Sequence, residues 1–187
     1  MDYFKYLIFI SVSLLTLSCG LQLKYQNPMG LNRPKNPKYT ICDIDDLASL
    51  DTIPFIVSSV YENYIYASDD EVIRDLFVFS TDGRFANISL NVEEPSATVK
   101  FKEDPWLTAY QVGFYEVKGD TINLEYFANF SWGTYYTMTG VVEKDELNIV
   151  GTWQGLGKTK IIANMPYRKH FKKVAHVIVL YNTGGLE

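Results

Sequence analysis

The stretch Tyr110–Trp153 decides the fold and reads YQVGFYEVKGDTINLEYFANFSWGTYYTMTGVVEKDELNIVGTW. It contains two turns of the same design, Val117–Ile122 and Val142–Leu147, in which polar or turn-forming residues stand between two apolar ones. After each turn, apolar and polar residues alternate, which is typical of a strand with one buried face. Alternation bounded by turns rich in Gly and Asp predicts antiparallel hairpins, and the stretch therefore predicts a meander.

Length and composition fit one β-rich domain with a short appendage. The 187 residues are 47% hydrophobic and 15% aromatic, which is enough to build a core and excludes a disordered chain. The 14 Tyr and 11 Phe residues favour strands over helices. Turn signals along the chain predict eight to ten strands, nearly all antiparallel, with at most one or two short helices. The expected fold class is all-β, an antiparallel meander closed into a barrel.

A barrel of this size has an inner face that can serve one of two purposes. An eight-stranded barrel can hold one small ligand, or it can be filled by its own side chains. Alternation and the aromatic content of the meander nominate a set of residues that would line any pocket. These residues are Tyr115, Ile122, Leu124, Tyr126, Tyr136, Met138, Leu147, Ile149 and Trp153.

Local signals outside the meander predict further elements. Asp43 is expected to cap a short helix over Ile44–Leu50. Val174–Tyr181 is predicted to be the last apolar strand, after a polar break at Asn164–Lys173 that contains a proline.

The dipeptide Asp82-Gly83 marks another hairpin. A two-residue turn would pair Phe79 with Ala86. A longer, bulged turn would shift the pairing by one residue, and the sequence leaves both registers open.

The first residues look like an export signal. Lys5 precedes the apolar run Leu7–Leu17, which is shorter than the about 20 residues of a bilayer span but has the length of a secretory signal core. The run ends in Thr16-Leu17-Ser18-Cys19, which resembles a bacterial lipobox. The resemblance implies that Cys19 becomes the N-terminus and carries the acyl chains. The alternative is an ordinary signal peptide with an incidental cysteine.

The lipobox divides the chain into three expected parts. Residues 1–18 are a signal peptide, residues 19–39 a lipidated cysteine with a flexible tether, and residues 40–187 the barrel domain. Three prolines in the second part would break a helix or a central strand. No Asp follows the cysteine in Gly20-Leu21-Gln22, which by resemblance to sorted lipoproteins implies the bacterial outer membrane, with the periplasmic face as the default.

The sequence carries little of the chemistry of catalysis. His170 and His176 are its two histidines and fit no metal-ligand spacing, and no nucleophile elbow occurs. Gly157-Lys158-Thr159 is like the end of a phosphate-binding loop but lacks the first glycine of that motif. Lipidation of Cys19 would leave Cys42 without a disulfide partner, as a small buried residue rather than a nucleophile. We therefore expect no enzyme, no metal and no cofactor.

The distribution of charge bears on possible partners. The body of the chain is acidic and has no basic stripe, which argues against nucleic acid. The only charged residues of the tether are basic; they are Lys24, Arg33, Lys35 and Lys38. They would be attracted to anionic lipid headgroups, or the tether is simply solvated. A second basic group, Tyr167–Lys173, is either an anion site at the barrel mouth or a solvated loop.

Three turn-and-alternation motifs resemble those of lipocalin-like, calycin-type domains of bacterial lipoproteins. The motifs are Phe79-x-x-Asp82-Gly83-x-Phe85, Gly113-x-Tyr115-x-Val117-x-Gly119-Asp120-x-Ile122 and Gly140-x-Val142-x-x-Asp145-x-Leu147. The resemblance spans residues 54–163 and implies a small barrel that binds a hydrophobic or amphipathic molecule in a lipid-anchored envelope protein. The alternative is a filled barrel that serves the cell envelope as a non-enzymatic interaction or structural module.

Substitution of Cys19 by Ala should release the protein from membranes, because each buried methylene of an acyl chain contributes about 0.8 kcal/mol to anchoring. The measurement is the fraction of the protein that sediments with washed membranes. Cys42→Ala removes the other cysteine and should leave that fraction unchanged. Retention of the Cys19→Ala protein in the membrane pellet would contradict the anchor.

Overall fold

Eight antiparallel strands close into a barrel in this computed structural model, which describes residues 24–68, 71–92, 98–128, 134–155, 160–161 and 169–181. The strands of the described residues are, in chain order, β1 (Lys24–Gln26), β2 (Asn32–Pro34), β3 (Val57–Ser68), β4 (Glu71–Ser80), β5 (Arg84–Val92), β6 (Thr98–Phe101), β7 (Gln111–Lys118), β8 (Thr121–Ala128), β9 (Thr134–Glu143), β10 (Glu146–Gln154), β11 (Lys160–Ile161), β12 (Lys169–Lys173) and β13 (His176–Val179). Around the barrel the order is β10, β12, β3, β4, β5, β7, β8 and β9, and β9 pairs with β10 to complete the circle. The predicted all-β barrel is confirmed, and the described residues include two short helices.

The two turns that predicted the meander form as expected. Val117 pairs with Ile122 across the β7–β8 turn, and Val142 pairs with Leu147 across the β9–β10 turn. In the second turn Lys144 takes a left-handed conformation with a φ of 53°. Both hairpins are local, so their residues specify them without help from the rest of the chain.

The β4–β5 hairpin adopts the longer of the two possible turns. Phe79 pairs with Phe85 and Phe77 with Asn87, one residue away from the register of a two-residue turn. Gly83 closes the turn with a φ of 87°, which suits glycine because it has no Cβ. The shift places Asn87 beside Phe77 on the inner face of the barrel.

Part of the barrel wall is buried on both faces. The cluster inside the barrel contains Tyr61, Phe77, Phe79, Phe85, Ile122, Leu124, Tyr126, Ala128, Tyr136, Met138, Leu147, Ile149 and Phe171. A second cluster lies outside the wall, mainly against β3, β4, β5 and β7, and includes Leu47, Phe55, Val60, Leu76, Val78, Ala86, Trp106 and Val112. Four consecutive residues of β4, Leu76–Phe79, are therefore no more than 2% exposed. A strand buried on both faces needs a second layer to cover it.

The covering layer is built from segments that surround the strands in sequence. It consists of residues 24–55, a single turn of α-helix, α1 (Pro105–Thr108), and the parallel pair β6–β13. Trp106 of α1 is fully buried in it, and its ring stacks on Phe55 with the centroids 6.4 Å apart.

The helix predicted after Asp43 lies further along the chain. It is a 3-10 helix over Leu47–Thr52, and its N-cap is Asp46, whose carboxylate accepts a hydrogen bond of 2.9 Å from the Ala48 N–H. The prediction of a cap at Asp43 and a helix over Ile44–Leu50 is therefore wrong in position. Each acidic residue of the segment could serve as a cap, and packing of Leu47 in the outer cluster selects Asp46.

Buried charged groups connect the outer layer to the wall. The Arg84 guanidinium pairs with Asp82 at 2.8 Å and donates to three backbone carbonyls within residues 50–54. On β8, the Glu125 carboxylate accepts from the N–H groups of Thr40 (2.5 Å) and Ile41 (3.0 Å) and from the Thr40 hydroxyl (2.5 Å). These bonds satisfy backbone groups that have no strand partner.

The segment expected to be a flexible tether is folded from Lys24 onward. β1 and β2 pair as a hairpin, and Arg33 of β2 is fully buried. Its guanidinium donates to the carbonyls of Trp106 (3.2 Å) and Ala109 (2.6 Å), next to the end of α1. Tyr39 is buried in the outer cluster. The basic residues and prolines of the segment suggested a solvated chain. The residues that it packs against are distant in sequence, so no local signal indicated that it is folded.

The C-terminal strands exchange the roles that the sequence predicted. The basic strand β12 closes the barrel between β10 and β3, whereas it was expected to belong to a polar break. Of its residues, Phe171 is fully buried in the barrel interior. The apolar segment Val174–Tyr181 was expected to be a barrel strand, but its strand β13 lies outside and pairs with β6. One buried aromatic residue in five was too weak a pattern to identify β12.

A bulge in β10 corrects the predicted orientation of Trp153. The pairing of β10 with β9 shifts between Ile149 and Gly151, so that Trp153 lies opposite Thr137. Thr137 is on the outer face, between Tyr136 and Met138, which are in the interior cluster. The bulge therefore turns Trp153 outward, although simple alternation placed it inside with Leu147 and Ile149.

Gly113→Ala should destabilise the barrel strongly. A Cβ at Gly113 would lie 1.9 Å from the Glu125 carbonyl oxygen and 2.6 Å from the Tyr126 Cα, both on the neighbouring backbone of β8. Relief of that clash requires β7 and β8 to move apart, which should lower the free energy of unfolding by about 3 kcal/mol. Urea unfolding measures the loss.

The same substitution at Gly119 is the matched control. Gly119 has a φ of 67° in the β7–β8 turn, and no atom lies within 4 Å of an added Cβ. Backbone strain alone should lower stability by about 1–2 kcal/mol. If Gly113→Ala cost less than Gly119→Ala, the close approach of β7 and β8 would be wrong.

Candidate functional site

The barrel interior is the region that the sequence nominated for function. One end of the barrel is formed by short turns at residues 81–83, 119–120 and 144–145, and we call it the turn end. The opposite end, called the far end, is where β8 leads towards β9 and β10 towards β12. The connections themselves, residues 129–133 and 156–159 with 162–168, lie outside the described residues.

Aromatic rings occupy the middle of the interior and the side near the turn end. Phe77 contacts Phe171 with ring centroids 4.5 Å apart, and Phe85 at 6.0 Å. Phe79 contacts Tyr115 at 4.9 Å in an edge-to-face arrangement. These residues come from β4, β5, β7 and β12, so rings from strands that are not neighbours in the wall contact each other inside the barrel. The described interior side chains are packed against one another there.

Most of the predicted lining residues face this interior. Seven are buried in the interior cluster: Ile122, Leu124, Tyr126, Tyr136, Met138, Leu147 and Ile149. Tyr115 packs against the cluster and donates a hydrogen bond of 2.9 Å to the Ser80 carbonyl, while Trp153 lies on the outer face. That these residues line a ligand pocket stays a prediction. The predicted lipidation residue, Cys19, lies outside the described residues.

A polar cluster lies inside the barrel toward the far end. The Asp75 side chain is 3% exposed, and its Oδ1 accepts from Asn87 Nδ2 at 2.7 Å and from the Ser89 hydroxyl at 3.2 Å. Asn87 also donates to the Leu76 carbonyl at 3.0 Å. A buried carboxylate with amide and hydroxyl donors can bind the polar end of a ligand, and it can equally stabilise the wall alone.

Sequence reasoning missed Asp75 as an interior residue. Asp75 is interior because it stands two residues before Phe77 and lies on the same face of β4, opposite Ser89 of β5. The available signal was the spacing of two residues between Asp75, Phe77 and Phe79, which a strand places on one face.

Two tyrosines lie beside this polar cluster. The rings of Tyr126 and Tyr136 stack with centroids 5.3 Å apart. Burial raises the pKa of the Tyr126 hydroxyl well above its ordinary value, and the nearby Tyr136 and Asp75 raise it further. Tyr126 therefore stays a neutral phenol at physiological pH. It can donate a hydrogen bond or stack on an apolar group, but it is a poor general base.

Three clefts lined by described residues lie outside the barrel, the second within the outer layer and the other two between that layer and the wall. The first, of about 410 Å3, has apolar walls from Leu90, Phe101 and Tyr110 and two lysines, Lys100 and Lys102. The second, of about 400 Å3, lies on the other side of α1 and is acidic, with Asp51, Glu103 and Asp104 among its lining residues. The third, of about 300 Å3, lies between β3 and the segment that leads into β13.

The nucleophilic and basic groups singled out in the sequence occupy ordinary positions. Burial raises the pKa of the Cys42 thiol, and Asp43 and Asp82 add to the shift, so that thiolate formation is disfavoured. The His170 ring lies 2.6 Å from the Asn148 side-chain oxygen and 3.5 Å from Glu146. In the described part of the chain, no three His, Cys, Asp or Glu residues are grouped so that they could hold a metal ion. Residues 157–159 lie outside the described residues.

Comparisons with known proteins identify no relative of this chain. No protein-family model matches the chain, and no curated protein or solved structure shows significant similarity to it. Within the described ranges, no helix has the length and apolar character needed to cross a membrane. The resemblance to lipocalin-like domains therefore rests on the three sequence motifs.

Tyr126→Phe should make stability less sensitive to alkaline pH. In the unfolded chain the phenol ionises near 10.0, whereas in the folded protein its pKa is raised, so it stays protonated there at higher pH. The stabilising contribution is complete below the unfolded pKa and is lost as the pH rises through the folded pKa. The unfolding free energy falls as the pH rises above about 10. Removal of the Tyr126 hydroxyl should reduce the slope of that fall by up to about 1.4 kcal/mol per pH unit.

The measurement is urea unfolding at a series of pH values from about pH 8 to about pH 12. Tyr66→Phe, which changes a ring that is 71% exposed, is the control and should leave the slope unchanged. Equal slopes for the wild type and Tyr126→Phe would contradict the raised pKa.

Proposed function

We propose that this protein is a lipid-anchored, non-enzymatic protein of the bacterial cell envelope whose filled barrel acts through its outer surface. The observation that carries the proposal is the aromatic packing of the interior, where Phe77 contacts Phe85 and Phe171, and Phe79 contacts Phe85. A barrel filled in this way is a rigid scaffold, and contacts with partners are then made by its wall and by the layer that covers it.

The proposed anchor is Cys19, with residues 1–18 removed as a signal peptide. Support comes from the apolar run before Cys19 and the small residues that lead into it. The proposed location is the outer membrane, on its periplasmic face. A single acyl chain gives only marginal binding, so the proposal requires the multiple chains of a mature bacterial lipoprotein or an additional contact with the membrane.

A second candidate function is binding of a small amphipathic molecule at the far end of the barrel. The observation that favours it is the buried Asp75–Asn87–Ser89 cluster next to the stacked rings of Tyr126 and Tyr136. Polar groups beside aromatic surface at one end of a barrel are a common composition for a ligand site. Native mass spectrometry of the purified protein would detect a hydrophobic molecule that is retained or added, and consistent absence of one would count against this candidate.

Substitutions inside the barrel test whether it is filled. Phe171→Ala should lower the free energy of unfolding by about 3–5 kcal/mol and should leave an apolar cavity that binds benzene or xenon. Leu124→Phe should destabilise by about 1–3 kcal/mol, because no space is left for the extra atoms. Urea unfolding with and without benzene measures both effects, and the wild type should not respond to benzene.

Val117→Phe is the control for added size. Val117 is 52% exposed near the β7–β8 turn, so the change should alter stability by no more than about 0.5 kcal/mol. Tolerance of Leu124→Phe together with stabilisation of the wild type by benzene would contradict a filled barrel and favour the ligand-binding candidate.

A further inference from the structure

We infer that the anchored protein lies directly on the bilayer, with the surface around the end of α1 against the phospholipid headgroups. This surface, called the α1 face, comprises Leu90, Lys100, Lys102 and Tyr110. The inference rests on the proposed lipid anchor at Cys19 and adds to it the orientation of the barrel and a second site of membrane contact.

The first argument is the length of chain between the anchor and the fold. The described structure begins at Lys24, which pairs with Pro34 in the β1–β2 hairpin. Fully extended chain spans at most about 3.6 Å per residue, so Lys24 can lie no more than about 18 Å from Cys19. An anchor attached to a tether of the expected length, reaching to residue 39, would have left the barrel free to turn. An anchor attached this close to a folded hairpin restricts the rotation of the barrel relative to the bilayer.

The second argument is where that hairpin sits. Arg33, the neighbour of Pro34, donates to the carbonyls of Trp106 and Ala109, and Asn27 donates to the Leu107 carbonyl at 2.7 Å. The point where the chain enters the fold is therefore packed against α1 and the residues that follow it. Tyr110 follows Ala109 directly, and Met29 between β1 and β2 lines the acidic cleft, so the entry point borders both sides of α1.

The third argument is the chemistry of the α1 face. Tyr110 is 64% exposed and Leu90 37% exposed, so the face presents one aromatic and one aliphatic side chain to a neighbouring surface. Lys100 and Lys102 are exposed beside them and line the same cleft. Tyrosine favours the headgroup region of a bilayer, and each lysine near an anionic surface contributes about 1 kcal/mol.

The α1 face and the cleft on the other side of α1 differ in charge. Glu103 lines the clefts on both sides of α1, but two lysines accompany it on the α1 face, whereas Asp51 and Asp104 accompany it in the other cleft, which an anionic bilayer would repel. The contact is therefore expected on the Lys100 side of α1, and the acidic cleft should stay turned toward solvent. Phospholipid headgroups are the occupant that both the short anchor and the lysines favour.

The test places a fluorophore at two positions, one just before β7 and one near its other end. In the lipidated full chain with Cys42→Ser, either Tyr110→Cys or Val117→Cys is labelled with a polarity-sensitive maleimide, Cys19 being blocked by its lipid. Position 117 of β7 is near the turn end, about 23 Å of extended chain from position 110, and is similarly exposed. The protein is reconstituted in vesicles of phosphatidylethanolamine and phosphatidylglycerol that contain a shallow spin-label quencher.

We expect quenching at position 110 to be several-fold stronger than at position 117. Lys100→Glu with Lys102→Glu should reduce the quenching at 110, whereas Lys118→Glu, at a lysine whose side chain is 73% exposed near the turn end, should not. Equal quenching at both positions, or stronger quenching at 117, in protein that floats with the vesicles would overturn the orientation and leave the anchor intact. Failure of the lipidated protein to float would refute the anchor and the orientation together.

Discussion

Burial of β4 on both faces is the constraint on which the rest of the structure depends. Phe77 and Phe79 point into the barrel, and Leu76 and Val78 point out of it, yet none of the four reaches water. An antiparallel barrel strand usually exposes its outer face, and an apolar outer face would otherwise be a site of aggregation. The outer layer is therefore part of the fold rather than an appendage. This explains why residues on both sides of the barrel sequence are recruited to cover it.

The outer layer contains little regular structure. Charged side chains therefore provide the hydrogen bonds that its backbone groups would otherwise make within a sheet or a helix. Arg33 and Arg84 each donate to several backbone carbonyls, and Glu125 accepts from two N–H groups and a hydroxyl. Burial lowers the pKa of Arg33, which reflects the cost of keeping its charge away from water. Such groups are stable only when hydrogen bonds compensate that cost. Each of them connects segments that are far apart in the sequence.

Sequence reasoning succeeded where structure is specified locally and failed where a distant partner decides it. The hairpins at Val117–Ile122 and Val142–Leu147 followed from turn chemistry and alternation, and so did seven of the nominated inward residues. The face of Trp153 could not be predicted because a one-residue bulge reverses the alternation. The place of Arg33 could not be predicted because a basic residue between prolines has no local sign of burial. For the candidate site, Asp75 was missed although it shares a strand face with Phe77 and Phe79, because an acidic residue has no local sign of burial.

Closure of the barrel by β12 has a consequence for how the chain folds. Glu62 of β3 pairs with Lys172 of β12, so the edge of β3 stays open until nearly the whole chain is available. Contacts between residues so distant in sequence slow folding, and an open apolar strand edge can pair with other molecules in the meantime. A chain that crosses a membrane from its N-terminus would expose β3 to β10 before β12 arrives. A protein exported as proposed would therefore depend on protection by a chaperone at the stage when seven of its eight barrel strands are present.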